Sequence, residues 1–295
     1  MLLTNSNALI RRSAYHRVQL KTMKIVFVIF GNFFDVDSPC SLINEETLIE
    51  YSLYLQDIDI KKTTQSTYFR NIRVFLYYCM KLGYVKKFEI QVKTVTSFKE
   101  VYTEQELSLL IKKPNIKKCN FEEYRNWVLT CFLLGTAARV QTVAEVLIGD
   151  IDFDNNQIAL KRVKNGIPYC IPLSLSLAGI MHEYLAFRKG KKEDHVFCTG
   201  EGVPLKKNGI QQALRKYNRK RGVMKTSVHL YRHTFVKNWL LDEGSIYELQ
   251  QILGHKTLSM VLRYANYYGV DLKKNFDTHN IFEKLSTTGK RIKMR

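Results

Sequence analysis

The sequence predicts a mainly α-helical protein with one small antiparallel β-sheet (α+β), in which a small helical domain precedes a larger one. Apolar residues recur at helical spacing through most of the chain. Two β-rich runs surround Asn165-Gly166, the strongest short signal for a hairpin. A stretch with little apolar mass, 93–101, predicts a linker between the domains. The length of 295 residues allows two domains with cores of their own.

The first domain is expected over residues 23–92. Residues 1–22 show no clean periodicity, so we interpret them as an atypical N-terminal segment compatible with disorder. A helix is predicted over 44–57, where Asn44 is the candidate N-cap and acidic residues occupy the first turn.

A second helix of this domain is predicted over 63–83, ending at Gly83. Its apolar stripe consists of Phe69, Ile72, Leu76 and Cys79. The basic residues of the region lie off that stripe, so the domain has a basic side.

The second domain is expected over 102–285 and is followed by a basic tail, 286–295. Thr103 and Glu106 form a capping box that predicts a helix start. Further helices are predicted over 122–135, 139–147, 175–189, 207–221, 230–242 and 246–253, with the β-rich runs at 157–173.

The net charge of +19 predicts a polyanionic partner, most commonly nucleic acid. Residues 60–88 contain seven Lys or Arg and residues 202–241 contain ten, with no Asp or Glu in either stretch. Interleaved apolar residues indicate basic faces on folded elements, although an ordinary solvated surface is the alternative. The predicted DNA-binding residues are Lys61, Lys62, Arg70, Arg73, Lys206, Lys207, Arg215 and Arg219.

Membrane and metal functions are disfavoured. No apolar run approaches the roughly 20 residues that span a bilayer. The six cysteines show no CxxC pair and no metal-ligand spacing, which favours a reducing, cytoplasmic compartment without disulfides. His229 and His233 have the spacing of a zinc helix, but no acidic third ligand is nearby and Arg232 lies between them.

Six residues could carry phosphodiester chemistry without a metal: Arg139, Lys164, His229, Arg232, His255 and Tyr264. Arginines suit the phosphate because their planar fork meets two oxygens at once. A tyrosine suits the nucleophile because an aryl phosphate conserves the bond energy for religation. Each residue taken alone is a weak signal, because a lone histidine near an apolar helix or a lone tyrosine at helical spacing more often has a structural role.

Taken together in this order, these residues resemble the tyrosine recombinases, or phage-type integrases. The resemblance extends over about residues 40–285. It depends on the turn "TAAR" ending at Arg139, a lysine 25 residues later beside a hairpin, the motif "HLYR", the motif "LGH", and a tyrosine nine residues after that histidine. The segments "VYTEQELSLLI" and "TTQSTYFRNIRVFLYYCMKLGYV" resemble the family's entry into its catalytic domain and a helix of its DNA-clamping (core-binding) domain.

The resemblance implies the following roles. Tyr264, rather than Tyr267 or Tyr268, attacks the scissile phosphate and forms a 3′-phosphotyrosyl link. Arg139 and Arg232 clamp the phosphate oxygens. His255 donates a further hydrogen bond, and His229 assists proton transfer. Lys164 is the general acid for the leaving 5′ hydroxyl, with Lys161 as the competitor for that role.

Two departures from the family pattern bear on activity. Ala137 replaces the usual glycine of the arginine turn. Thr142 stands where the family usually has an acidic residue, and Glu145 is the candidate substitute one turn along.

The resulting expectation is a site-specific recombinase of a mobile element that acts as a homo-tetramer on double-stranded DNA in the cytoplasm, associated with the nucleoid. It needs no metal, ATP or other cofactor, and an accessory DNA-bending or directionality factor is compatible with such an assembly. The alternatives are a catalytically impaired DNA-binding protein of the same fold and an enzyme resembling type IB topoisomerases.

Overall fold

Helices make up most of the structure. The computed structural model describes residues 14–35, 37–92, 100–161, 168–268 and 281. In these ranges the helices are α1 (Ala14–Phe33), α2 (Glu45–Asp57), α3 (Lys62–Lys81), α4 (Glu104–Ile111), α5 (Phe121–Thr136), α6 (Val140–Glu145), α7 (Leu175–Arg188), α8 (Lys207–Lys220), α9 (His229–Leu241), α10 (Ile246–Leu253) and α11 (Ser259–Tyr268). The strands are β1 (Ile151–Asp152), β2 (Gln157–Leu160) and β3 (Tyr169–Pro172). The predicted fold class, mainly α with a small antiparallel sheet, is confirmed.

The chain divides into two compact units between residues 97 and 98. The first unit contains α1 to α3, and the second contains α4 to α11 with the sheet.

Helix α1 packs into the core of the first unit. Val26 and Phe30, one turn apart, are buried, and the Phe30 ring meets the Tyr51 ring of α2 with centroids 5.0 Å apart. The sequence does not predict this helix, because α1 begins at Ala14, within residues 1–22, which show no clean periodicity. Its apolar residues from Ile25 to Phe30 are consecutive, which obscures the helical spacing.

Helices α2 and α3 complete that core. Asn44 caps α2 as predicted, because its side chain accepts a hydrogen bond from the Thr47 backbone at 3.0 Å. Ile72 and Leu76 of α3 are fully buried. Ile49 and Leu53 of α2, which are also apolar, are more than half exposed.

Helix α5 is the centre of the second unit. Ten of its sixteen residues are buried, including Trp127, Phe132 and Leu133, and it contacts α7, α8 and α9. These contacts explain why the apolar residues of α5 extend beyond a single stripe. The predicted capping box of Thr103 and Glu106 starts α4.

The sheet has the strand order β1-β2-β3 and is antiparallel throughout. Ala159 of β2 pairs with Cys170 of β3, which confirms the predicted hairpin strands. Strand β1 was not predicted, because two residues are too few to show alternation. The hairpin tip, residues 162–167 with Lys164, lies outside the described residues.

The last three described long helices form a separate cluster. Val236 and Leu240 of α9, Leu249 and Leu253 of α10, and Val261 of α11 are buried together with Ala137. Tyr264 lies inside α11, which continues to Tyr268.

None of the helices in the described ranges combines the length and hydropathy that crossing a membrane requires.

The end of α5 depends on a residue with a positive φ. Ala137 has φ 50° and ψ 18°, the left-handed conformation, and its backbone N–H donates to Leu133 O at 3.0 Å. Its side chain is fully buried. A left-handed non-glycine residue costs roughly 1–2 kcal/mol, which the buried methyl group partly offsets.

We therefore expect Ala137→Gly to change the free energy of unfolding by less than about 1 kcal/mol, because relief of strain and loss of the methyl oppose each other. Ala137→Val should lower it by more than about 2 kcal/mol, because a β-branched residue adopts this φ poorly. Urea denaturation followed by tryptophan fluorescence measures the effect in the second unit alone, since Trp127 and Trp239 are the two tryptophans. Equal stability of the Val variant and the wild type would contradict the assigned conformation.

Candidate active site

Arg232 is the centre of a buried cationic cluster. It lies in the first turn of α9 with only 6% of its surface exposed. Its Nη1 donates to Ala137 O at 2.8 Å and its Nη2 donates to Leu253 O at 2.9 Å. Both acceptors are carbonyls at helix C-terminal ends, of α5 and α10, where the helix dipole is negative. Burial, and after it the neighbouring Arg139, lower the pKa of Arg232 to about 10.

The start of α9 is fixed by a buried polar network. Tyr231 donates from its hydroxyl to Asn218 Oδ1 at 2.7 Å, and Asn218 Nδ2 donates to the Tyr102 hydroxyl at 2.9 Å. Thr234 accepts a hydrogen bond from the Tyr102 backbone at 3.0 Å. Because Tyr231 and Thr234 flank Arg232, these bonds fix the position from which the arginine side chain extends.

Arg139 joins the cluster from the turn between α5 and α6. Its Nη1 approaches Leu253 O at 3.4 Å, the same carbonyl that accepts from Arg232. The side chain is half-buried. Across the described ranges, neither arginine has a carboxylate within ion-pair distance. Two adjacent guanidinium groups therefore lie in a partly desolvated site to which the described residues contribute no compensating acid.

His255 lies against Arg232 in a neutral form. Arg232 Nη2 is 2.9 Å from His255 Nε2, and because an arginine can only donate, Nε2 is the acceptor and Nδ1 carries the proton. Nδ1 is buried and has no partner among the described residues. Burial, then Arg232 and Arg139, lower the pKa of His255 to about 4. Gly254 supplies the left-handed turn, φ 58°, that ends α10 and precedes the histidine.

Tyr264 is half-buried on α11 and reaches the same cluster. Its hydroxyl interacts with the Arg232 guanidinium and raises the pKa of that arginine against the effect of burial. Its ring centroid lies 5.5 Å from that of His233. The side chains of Tyr267 and Tyr268 are outside the described residues.

The structure therefore brings four of the six predicted residues together: Arg139, Arg232, His255 and Tyr264. His229 is exposed on the first turn of α9, one helical turn before Arg232. Lys164 is outside the described residues. Its competitor Lys161 is engaged elsewhere, since its Nζ lies 2.6 Å from Oδ1 of the buried Asp150.

The departures from the family pattern leave this arrangement in place. Ala137 adopts the left-handed conformation and presents its carbonyl to Arg232. Thr142 is buried on α6. Glu145 Oε1 accepts a hydrogen bond from Gln141 Nε2 at 3.1 Å.

One residue of the site was missed. Tyr169, on β3, packs against Gly254, and both arginines influence its pKa. Alternation on β3 places Tyr169 on the same face as the buried Ile171, which is the only sequence signal for an inward direction.

The predicted DNA-binding residues lie on two helices. Lys61, Lys62 and Arg70 are exposed and Arg73 is half-buried, at the start and middle of α3. On α8, buried Ile210, Leu214 and Tyr217 define the core side, and Arg215 and Arg219 are exposed, as are Lys206 and Lys207 at its start. The ion pairs of the described residues involve none of these eight, whereas Lys220 and Lys225 of the same acid-free stretch pair with Glu123 and Glu106. No cluster of potential metal ligands occurs in the described part of the chain.

Curated relatives are similar in sequence to this chain over much of its length. Tyrosine recombinase XerD of Chlamydia muridarum is 22% identical over 253 residues, covering 81% of this chain and 82% of the relative. Tyrosine recombinase XerA of Pyrococcus furiosus is 27% identical over 186 residues, covering 62% of this chain and 63% of the relative.

Solved structures share the fold. The Tn1549 transposon integrase in complex with transposon right end DNA superimposes with a TM-score of 0.68 at 17% identity, covering 92% of this chain and 98% of that one. A λ integrase dimer bound to a COC′ core site gives a TM-score of 0.70 at 15% identity, covering 91% and 95%.

The sequence model of the phage integrase family matches residues 100–269, which include Arg139, Arg232, His255 and Tyr264. This match spans more than half of the chain and coincides with the described second unit. The chain therefore belongs to the phage integrase family, the tyrosine recombinases, which cleave and rejoin DNA.

Proposed function

We propose that this chain is the recombinase of a mobile element and that Tyr264 forms its covalent bond to DNA. The observation that carries the proposal is the pair of arginines, without a carboxylate in the described residues, beside the Tyr264 hydroxyl. No carboxylate of the described residues pairs with these arginines. A bound phosphodiester provides an anion, and its two oxygens can accept hydrogen bonds from the two guanidinium groups.

In the proposed cleavage step, the Tyr264 oxygen attacks phosphorus and the bond to the 5′ oxygen breaks. Arg139 and Arg232 hold the negative charge that spreads over the remaining phosphate oxygens, and this electrostatic term is the largest contribution to such reactions. His229 accepts the phenol proton, and Lys164 donates a proton to the leaving 5′ oxygen. Religation is the same step in reverse, so no metal ion and no ATP enters the balance.

His255 has to change its hydrogen bonding to take the donor role. Its Nε2 accepts from Arg232 in the unbound site, so donation to the phosphate from that atom requires protonation or exchange of the tautomer. An adjacent phosphate favours the protonated form, because an opposite charge raises the pKa of a histidine. We infer that DNA binding itself converts His255 from acceptor to donor.

The eight basic residues of α3 and α8, which form no ion pair with a described residue, supply the sequence-independent affinity. Phosphate contacts made by Lys and Arg release counterions, so binding should weaken steeply with salt. A complete recombination event joins four DNA ends, for which we propose a homo-tetramer on two duplexes, aided by an accessory DNA-bending or directionality factor. Such a protein would be associated with the nucleoid.

The first prediction concerns the nucleophile. Nicked duplexes carrying the ends of the host element, incubated with the protein in EDTA, should give an SDS-stable covalent adduct. Tyr264→Phe should abolish the adduct, because phenylalanine has no oxygen to attack phosphorus. The control Tyr267→Phe should retain it. Tight, salt-sensitive binding without any adduct would instead indicate a DNA-binding protein with an impaired catalytic site.

The second prediction tests whether Arg139 contributes to DNA cleavage rather than to stability. Arg139→Lys should slow adduct formation by about 100-fold or more, because lysine cannot hold two phosphate oxygens at once. Stability should change by less than about 0.5 kcal/mol, since the arginine makes one long hydrogen bond in the unbound site. The matched control is Arg188→Lys at the end of α7, an arginine that also donates to a main-chain carbonyl, His195 O, and for which we expect near wild-type rates. An equal loss in both variants would argue against a special role for Arg139.

The third prediction follows from the lowered pKa of His255. Its ordinary pKa is 6.5 and its folded pKa is about 4, so between these values the unfolded chain binds more protons than the folded one. Stability contributed by His255 is therefore present above pH 6.5 and is lost as the pH falls toward 4, by at most about 3 kcal/mol.

His255→Gln can still accept from Arg232 but does not titrate. In urea denaturation followed by tryptophan fluorescence, the wild type should lose more stability than the variant between pH 6.5 and 4. Parallel curves for the two proteins would show that the histidine is not buried in its neutral form.

A further inference from the structure

Tyr169 is a second tyrosine at the arginine pair. It is the first residue of β3, paired with Leu160, and its side chain is half-buried. The strand fixes the direction of the Tyr169 side chain, because Ile171, on the same face of β3, is fully buried in the core of the second unit.

The Tyr169 ring lies directly on the turn that carries His255. A Cβ atom added to Gly254 would come within 2.7 Å of Tyr169 Cε1 and Cζ and within 2.9 Å of its hydroxyl oxygen. Leu253, the preceding residue, gives the carbonyl that accepts from Arg139 and Arg232. The Tyr169 hydroxyl therefore lies beside the residue that follows this carbonyl, and both arginines act electrostatically on it.

The hydroxyl is a proton donor in this position. Burial raises the pKa of Tyr169, and Arg232 and Arg139 oppose that rise, so the phenol keeps its proton at neutral pH. A neutral O–H beside two cations is suited to donate to an anion that binds between them.

We propose that Tyr169 is a further phosphate ligand: its hydroxyl donates a hydrogen bond to a non-bridging oxygen of the phosphate held by Arg139 and Arg232. The inference rests on the proposed function of the site. In cleavage the phosphate oxygens gain charge, so this bond strengthens in the transition state and lowers the barrier to attack by Tyr264. The side chain does not take part in any covalent step.

The test compares Tyr169→Phe with wild type in covalent trapping on a nicked duplex. The variant keeps the ring on Gly254 and loses only the donor. We expect adduct formation to slow by about 10- to 100-fold, while DNA affinity changes by less than about twofold, because most contacts are to other phosphates. Tyr247→Phe, which removes an exposed hydroxyl from α10, is the matched control and should leave the rate unchanged.

A substrate change distinguishes a ligand from a packing residue. In each of the two methylphosphonate stereoisomers at the scissile position, a methyl group replaces one non-bridging oxygen. The Tyr169→Phe penalty should disappear on the stereoisomer that lacks the accepting oxygen and persist on the other. A penalty that is equal on all three substrates, or absent on the ordinary phosphate, would overturn the proposal.

Failure of the proposed function would look different. In that case the wild-type protein itself forms no adduct, and Tyr264→Phe changes nothing. An adduct made by wild type, lost in Tyr264→Phe and unaffected by Tyr169→Phe would reject the role of Tyr169 alone.

Discussion

The second unit depends on one buried guanidinium that joins the ends of two helices. Arg232 donates to the carbonyls of Ala137 and Leu253, so α9 is tied to the C-terminal ends of α5 and α10. Burying an unpaired charge is expensive, and here helix-end carbonyls, which carry partial negative charge and lack intrahelical donors, replace a carboxylate. The other residues of the site are positioned by the two turns that these hydrogen bonds hold. The turn at Ala137 orients Arg139, and the turn at Gly254 places His255 against the Arg232 guanidinium.

Carbonyl groups satisfy the hydrogen-bonding capacity of Arg232 without cancelling its charge. The positive potential of the pair is therefore retained while the side chains are held in place before any ligand arrives. This is the preorganised state in which a cationic site is most effective, because the protein does not have to reorganise when charge develops on the bound group. A salt-bridged arginine would first have to leave its acid.

The sequence predicts the fold well where local signals are strong. The N-cap at Asn44 and the capping box at Thr103 fix two helix starts, and the long periodic stretches give α5 and α7 to α10 to within a few residues. Helix α1 was missed because its apolar residues run consecutively, and β1 because it has only two residues. Helical periodicity alone gives no functional signal for four of the site residues. Resemblance to the spacing of a known family identified them: Arg139, Arg232, His255 and Tyr264. Tyr169 could not be found this way, because it reaches the site through a packing contact that is distant in sequence. The carbonyl groups that bind Arg232 could not be found either, because main-chain atoms leave no signature in the residue types.

The support of Arg232 by main-chain atoms also bears on how this site can change over evolution. Side-chain identity at the supporting positions is free to drift as long as the backbone keeps its two left-handed turns, at residues 137 and 254. An alanine in place of glycine and a threonine in place of an acid are then permitted steps rather than signs of decay. Gly254 is the less tolerant of the two turns, since the Tyr169 ring occupies the space of a side chain there. Divergence in such a lineage should therefore accumulate around the arginines while the shape of the two turns persists.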